Sequence, residues 1–417
     1  MTEKKKILIA GGGASGMMAA LAAAGEGAEV TLLEQNDCLG KKILSTGNGR
    51  CNFTNMKQEP SCYRGEDPDF AWRALGRFSA LETIAFFTNL GIYSRNREGC
   101  LYPYSGQAQA VRKVLAAQVQ AEGVRVLTNW KVTEIRPRGN GFRIRAEETY
   151  EKGKTREETW EADAVILACG SRASRISGSD GSGYRLAESL GHSLVPVLPA
   201  LVQLKADGWP AKLAGVRARG KVSLYVDGEL AGEDGGELQL TEYGISGIPV
   251  FQVSRYAARG LSEKKEVLAE LDFLPDFTPE ALLDFLIARA KRQPWKRADL
   301  FLTGLFSDRL GAVLLRKAGI RERQKAGEIS PLSLKDLVLA VKQFPVQIRE
   351  TCSFDQAQVC CGGVRTSEVK EETMESRLVP GLYFAGEILD VDGMCGGYNL
   401  QWAWTSGYLA GKGAAHA

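Results

Sequence analysis

The chain has 417 residues, 44% hydrophobic and 25% charged, an ordinary globular composition with length for two or three units of one compact body. A net charge of +3 is too near neutral to argue for a nucleic-acid protein from the total alone, and nine scattered cysteines without a CxxC pair argue for reduced thiols in a cytoplasm, not a secreted disulfide framework. Only His192 and His416 are present, which excludes a His-rich metal site, so no metal is expected, and disfavours a Ser–His catalyst.

Met1–Lys6 is charged and Ile7–Ala10 turns at once into glycine, so no signal peptide is expected. Ala19–Ala24 is too short to cross a bilayer, and no membrane insertion is expected. Lys6–Ala10 reads as a buried strand, Gly16–Gly25 as a helix and Glu29–Glu34 as a second strand, a β–α–β opening that implies a parallel sheet. Phe78–Leu90 and Ala108–Glu122 read as helices. Lys131–Arg136, Gly141–Ala146 and Thr155–Glu161 read as antiparallel strands, with turns at Arg138-Gly139-Asn140-Gly141 and Glu151-Lys152-Gly153. Ala164–Cys169 is an apolar strand ending in Gly170. Residues 193–275 and 326–344 read as β-rich. Residues 276–325 read as helical, with Thr278-Pro279 as N-cap and first helical residue. Gly381–Ala385 is another buried strand, and Leu400–Gly411 the final helix. The pattern predicts a nucleotide-binding domain in two parts, 1–192 and 345–417, around an inserted substrate domain at 193–344.

Three stretches carry chemistry. Gly11-Gly12-Gly13-Ala14-Ser15-Gly16 satisfies G-x-G-x-x-G between a strand and a helix. Gly11 permits the turn, Gly13 lets backbone approach a pyrophosphate, and Gly16 lets the helix pack on the strand. Glu34 ends the next strand, where a carboxylate can accept ribose hydroxyls and would repel a 2′-phosphate. A long polar loop follows, Gly40-Lys41-Lys42 and then Thr46-Gly47-Asn48-Gly49-Arg50-Cys51-Asn52-Phe53-Thr54-Asn55, suited to a ligand that extends past its pyrophosphate. Lys41 and Lys42 are equally readable as solvated. Far along the chain, Gly386-Glu387 and Asp392-Gly393-Met394-Cys395-Gly396-Gly397-Tyr398-Asn399-Leu400-Gln401 place a strand end and a fresh helix N-terminus together. Two such edges from opposite ends of one chain suggest one long ligand along one sheet.

These stretches, with Ala168-Cys169-Gly170-Ser171 and Gly178-Ser179-Asp180-Gly181, resemble the BaiN/RdsA family of FAD-dependent oxidoreductases, which includes proteins called aminoacetone oxidases. The resemblance covers nearly the whole chain. Its most specific marks are Gly49-Arg50-Cys51-Asn52, Thr373-Met374-Glu375-Ser376, and Gly386-Glu387 through Gly396-Gly397-Tyr398-Asn399-Leu400. It implies an α/β fold: a glutathione-reductase-like FAD-binding Rossmann domain with an inserted β-barrel-like unit and a small helical unit. It also implies FAD contacts at Ala14, Ser15, Glu34, Lys42, Val132, Glu387, Asn399 and Leu400. With the motif residues, the expected cofactor set further includes Gly11, Gly13, Gly16, Gly49, Arg50, Cys51, Asn52, Gly170, Gly386 and Gly397. The chain departs from the usual pattern at Cys395, Cys360 and Cys169, where Thr is the commoner residue; the similar size leaves FAD binding intact while the polarity beside the flavin changes.

The resemblance implies three substrate classes. The leading expectation is NAD(P)H-dependent reduction of a carbon–carbon double bond conjugated to a ketone in 3-oxo-Δ4/Δ4,6 bile-acid intermediates, with a steroid acid or its CoA thioester as substrate. The alternatives are reduction of uridine to dihydrouridine in ribosomal RNA, and amine oxidation with oxygen. With one Gly-rich fingerprint, NAD(P)H is expected to visit a shared cleft. Tyr398 or Tyr243 could supply a proton, or either could simply pack. Cys51 and Cys395 could approach the flavin, yet small buried packing residues are the usual reading. His192 reads as a capped or core histidine. Residues 281–325 hold eleven Lys/Arg against four Asp/Glu, a net +7, read either as a solvated helical face or as an anion-binding surface for RNA or a thioester.

Overall fold

The structure is a computed structural model that describes residues 4–150 and 153–416. The turn expected at Glu151-Lys152-Gly153 falls on 151–152, outside the described residues. The chain divides into two compact units, Met1–Leu198 with Gln358–Ala417, and Pro199–Ala357.

The chain opens with β1 (Lys6–Ala10), α1 (Ala14–Gly25) and β2 (Glu29–Glu34). β3 (Thr54–Asn55) and β4 (Tyr63–Arg64) are two-residue strands in the long loop, followed by α2 (Pro68–Leu75) and α3 (Ala80–Asn89). A capping box fixes the start of α3: Glu82 N–H donates to Ser79 Oγ while the Glu82 carboxylate accepts from Ser79 N–H. The hairpin β5 (Ser94–Arg97) and β6 (Cys100–Pro103) precedes α4 (Ala108–Ala121) and β7 (Arg125–Thr128). Then come β8 (Trp130–Arg138), β9 (Gly141–Tyr150), β10 (Lys154–Ala162), β11 (Ala164–Leu167), α5 (Ser182–Ser189) and β12 (Leu194–Ala200).

The second unit holds β13 (Leu204–Ala206), β14 (Val216–Val226), β15 (Glu229–Leu240), β16 (Gly244–Ser246), α6 (Ile248–Ser262), β17 (Val267–Asp272), α7 (Pro279–Arg292), α8 (Ala298–Phe301), α9 (Asp308–Lys317), α10 (Pro331–Lys342) and β18 (Phe344–Thr351). The chain returns to the first unit with β19 (Val359–Val364), β20 (Leu382–Phe384), β21 (Asp392–Gly393) and α11 (Tyr398–His416).

In the first unit β20-β11-β1-β2-β7 form a sheet whose strand pairs are all parallel. Ile7–Ala10 and Ala164–Leu167 are buried along their length, as strands covered on both faces must be. α11 packs on α1, with Gly407 and Gly411 facing Ser15 and Ala19. β10-β9-β8 form an antiparallel meander, and β3-β6-β5 a small antiparallel sheet.

In the second unit β13-β16-β15-β14-β17-β18 close into an antiparallel barrel, which leaves no open edge. Leu282 and Leu286 of α7, Leu310 and Leu314 of α9, and Leu334 and Leu337 of α10 share one core with the barrel residues Val222, Leu224, Leu271 and Val346. Two stretches differ from the sequence reading. Residues 193–275 contain the fifteen-residue α6, and 326–344, read as β-rich, contain α10. Both helices open on a proline in the first turn, a position that needs no N–H; Ser330 caps α10, its Oγ accepting from Ser333 N–H. The joins expected at 192/193 and 344/345 stand against unit boundaries at 198/199 and 357/358: β12 pairs with β19, and β18 is a barrel strand. Among the described residues, no helix is long and apolar enough to cross a membrane.

Candidate functional site

The Gly11–Gly16 turn joins β1 to α1. Gly11 N–H donates to Leu33 O at 2.8 Å, and Gly12 N–H donates to Glu34 Oε2 at 2.7 Å. The other Glu34 oxygen accepts from Asn36 N–H at 2.8 Å and from the Asn36 side-chain amide at 2.6 Å. Glu34 is buried, and that desolvation raises its pKa above the ordinary carboxylate value even against these donors. The glycines have opposite surroundings. A Cβ at Gly16 would lie 1.8 Å from Gly11 O, whereas a Cβ at Gly13 would meet nothing within 4 Å. One glycine is demanded by the protein; the other leaves open space at a helix N-terminus, where a pyrophosphate is favoured. Ala14 and Ser15 form the first turn of α1, and Ser15 Oγ donates to Ala385 O at 3.2 Å, tying the turn to the C-terminal strand end.

That strand end is held by its helix. Gly386 N–H donates to Ser406 Oγ at 2.9 Å, and Trp402 Nε1 donates to Gly386 O at 3.1 Å. Glu387 Oε2 accepts from Lys42 Nζ at 2.5 Å and from Ser171 Oγ at 3.3 Å. Lys42, in a 3-10 turn spanning Lys41–Ser45, is therefore not merely solvated. Asn399 closes the 393–399 loop on itself: Gly393 N–H donates to its Oδ1 and its Nδ2 donates to Gly393 O, both at 2.8 Å. Leu400, next in α11, is half-buried.

The glycine-rich loop meets this edge. Asn55 Nδ2 donates to Gly396 O at 2.8 Å, and a Cβ at Gly397 would lie 2.8 Å from Asn52 Oδ1. That amide oxygen is buried with no hydrogen-bond partner. An unsatisfied buried acceptor costs about 1–3 kcal/mol, so the oxygen wants a donor. Gly49 O accepts from Ala108 N–H at 2.8 Å, and Arg50 beside it is exposed. Cys51 is fully buried, and desolvation pushes its pKa to about 12, so its sulfur stays a thiol. None of the nine cysteines forms a disulfide, the adjacent Cys360 and Cys361 included. Gly170 follows β11. Val132 lies on β8 beside Lys131, whose ammonium pairs with Asp180 of the Gly178–Gly181 turn.

The structure thus gathers the N-terminal turn, Lys42, the Asn52–Asn55 segment and the Gly386–Leu400 edge. These surroundings fit FAD: open space over Gly13, a carboxylate at the end of β2, and a buried oxygen of Asn52 without a partner. Sequence reasoning did not single out Asn36, although an amide two residues beyond Glu34 is a legible signal, and left unassigned Ser171, which reaches Glu387 only through the fold.

The tyrosines lie in different units. Tyr398 is buried edge-on to Tyr63, ring centroids 5.9 Å apart, and burial, with the Cys62 thiol beside it, raises its hydroxyl well above the usual range. Tyr243 is half-buried before β16, its pKa raised by burial and by Cys352. His192 is buried between Glu368 Oε2 at 3.1 Å and Ser376 Oγ at 2.9 Å. Ser376 Oγ also accepts from Leu378 and Val379 N–H, so the trio pins the turn after the Thr373–Ser376 motif.

In the basic 281–325 segment several cations have structural work. Arg289 donates to Thr303 O, Arg309 to Ala214 O, Arg297 pairs with Asp299, and Lys317 lies 4.9 Å from the Phe344 ring centroid. Arg316 and Lys317 line a cleft of about 260 Å³ with Trp209, Val313 and Phe344.

Residues 5–413 match the family described as HI0933-like protein Rossmann domain. The chain is 48% identical over 402 residues to a 3-dehydro-bile acid delta(4,6)-reductase from Clostridium scindens, covering 96% of each. It is 30% identical over 413 residues to a ribosomal RNA dihydrouridine synthase from Haemophilus influenzae, covering 98% of each. Among solved structures, 3-ketosteroid-delta4-(5alpha)-dehydrogenase from Rhodococcus jostii RHA1 aligns with a TM-score of 0.50 at 18% identity, over 100% of this chain and 98% of that one, a likeness of fold alone. The fold is the mixed α/β Rossmann fold that binds FAD.

Proposed function

The chain belongs to the HI0933-like Rossmann family, and from that premise we propose that it is an FAD-dependent reductase of carbon–carbon double bonds conjugated to a ketone, acting on 3-oxo-Δ4/Δ4,6 bile-acid intermediates with NAD(P)H as electron source. The observation that carries this reading is the near-half identity to the Clostridium scindens reductase along almost the whole of both chains. The ribosomal RNA dihydrouridine synthases stand considerably further off.

Bound FAD supplies the hydride chemistry. The chain's residues hold and orient. Gly13 and the first turn of α1 would receive the pyrophosphate, with Glu34 near the ribose. The Lys42–Glu387 pair and Ser171 fix the loop against the strand end, and Asn52 offers an acceptor to the ring. Reduction of an enone needs a proton at the α-carbon. We assign it to Tyr398, whose buried hydroxyl keeps its proton throughout the neutral range, with Tyr243 of the barrel unit as the second candidate.

An anaerobic series tests this. Photoreduced protein is mixed separately with a 3-oxo-Δ4 bile acid, its CoA thioester, a ribosomal RNA fragment and oxygen. The expected result is rapid reoxidation by a steroid with equivalent loss of its enone absorbance. Reoxidation by RNA or oxygen alone would overturn the reading. Tyr398→Phe should slow steroid-driven reoxidation on the order of a hundredfold with flavin content unchanged; the same loss in Tyr243→Phe instead would move the role to the barrel.

A further inference from the structure

The sheet β3-β6-β5 has a face of which the flavin site takes only Asn55, at one end. Its register sets Arg95 opposite Tyr102, and sets both Arg97 and Asn55 opposite Cys100. Directly opposed residues share a side of a sheet, and side chains alternate along each strand. The ladder extends past the strand ends, since Tyr104 N–H donates to Tyr93 O at 2.7 Å. One face therefore carries Tyr93, Arg95, Arg97, Cys100, Tyr102 and Tyr104, while Leu101 and Pro103 on the other side are buried.

This face is wet, aromatic and cationic. Tyr93 and Tyr104 are 74% and 65% exposed, yet their rings stand together with centroids 5.4 Å apart. Arg97 lies 6.0 Å from the Tyr102 ring centroid. No carboxylate among the described residues pairs with Arg95 or Arg97, and Glu98, the one acid of the hairpin, sits in its turn. The face ends at the glycine edge: Asn55 Nδ2 and Cys100 Sγ lie 2.8 and 3.9 Å from Gly396 O. Paired aromatic rings with unpaired guanidinium groups recognise flat heteroaromatic bases joined to phosphates.

We propose that this hairpin face is the docking site for the dinucleotide NAD(P)H, with Tyr93 and Tyr104 against its adenine and Arg95 and Arg97 on its phosphates. The assignment rests on the reductase reading, which requires an electron donor, and on a face that runs to the Gly396–Gly397 edge in a chain with one Gly-rich fingerprint. Polynucleotide shares the base-and-phosphate chemistry, and the experiment separates it.

Flavin-loaded wild type, Tyr93→Ala/Tyr104→Ala and Arg95→Glu/Arg97→Glu are titrated calorimetrically with NADP+, NAD+ and a short RNA oligonucleotide. The wild type should bind NADP+ or NAD+, and each double variant should weaken the Kd by about tenfold or more. Flavin content, dithionite reduction and reoxidation by enone should not change. Unaltered dinucleotide Kd in both variants, no dinucleotide binding by the wild type, or a loss confined to RNA overturns the proposal. Failure of the enone to reoxidise reduced protein, with the dinucleotide Kd weakened as expected, would sink the reductase reading and leave the docking face standing.

Discussion

The N-terminal turn and the C-terminal edge come from opposite ends of the chain, meet where Ser15 Oγ donates to Ala385 O, and are built differently. The turn is backbone: Gly11 and Gly12 amides, a helix start, and one carboxylate that two neighbours hold. The edge is side-chain amide and hydroxyl: Asn399 on Gly393, Asn55 on Gly396, Ser406 on Gly386. Within each, one residue is closely engaged by the protein and another is not. Gly16 is filled by Gly11 O while Gly13 faces open space; Asn399 is satisfied by Gly393 while Asn52 keeps an orphaned oxygen. One glycine-rich motif thus holds two kinds of residue, which measurements of stability and of FAD affinity would tell apart.

The largest separation is at the glycines. Gly16→Ala drives a methyl into backbone that side-chain movement cannot relieve, and should cost about 3 kcal/mol or more, read as insoluble protein or a steep fall in Tm. Gly13→Ala should melt with wild-type apoprotein yet bind FAD about tenfold more weakly or worse, because its methyl occupies the open space. A Gly13→Ala protein that keeps its flavin as tightly as wild type would break the contrast.

The amides give a smaller version. Asn399→Ala strands the N–H and C=O of Gly393 and should destabilise apoprotein by about 2 kcal/mol. Asn52→Ala removes an acceptor that nothing in the protein satisfies. It should leave apoprotein stability near wild type and raise the FAD Kd by roughly tenfold in equilibrium dialysis. Equal Tm losses in the two variants would mean that Asn52 is structural after all.

The smallest effect is in pH. Burial raises the Glu34 pKa, so on acidification its carboxylate takes a proton sooner than an ordinary glutamate would. The protonated form loses an acceptor facing Gly12 N–H and Asn36. Flavin release on stepwise acidification should therefore begin above the ordinary glutamate range, and Glu34→Gln should show a weaker FAD affinity that no longer varies there. A wild-type release curve centred at the ordinary value would remove Glu34 from the account.

Much of this was legible in the sequence where the requirement is local. Gly11–Gly16 and Glu34 are fixed by the turn and strand around them, and Thr278-Pro279 does open α7, with Ala281 N–H donating to Thr278 Oγ1. The same pair recurs at Ser330-Pro331, whereas α6 opens on Gly247 without a side-chain cap and carries Pro249 second, so its start lacks that signal. The join after Ala357 was not legible, since Phe344–Thr351 reads as a strand in either domain and only its pairing with β13 and β17 assigns it to the barrel. Ser171 stood out only as part of the Ala168–Ser171 stretch; its own partner was not legible, because Glu387 lies far along the chain.

The barrel unit is one unbroken stretch of chain, whereas the Rossmann unit is interrupted by it. During synthesis the N-terminal turn leaves the ribosome first, without the strand end that Ser15 and Lys42 hold. The whole barrel follows, free to fold as a unit, before Gly386–Leu400 emerges. Until the barrel has been made, the parallel sheet of the growing chain lacks its β20 edge, and the strand end that Ser15 holds joins the N-terminal turn late.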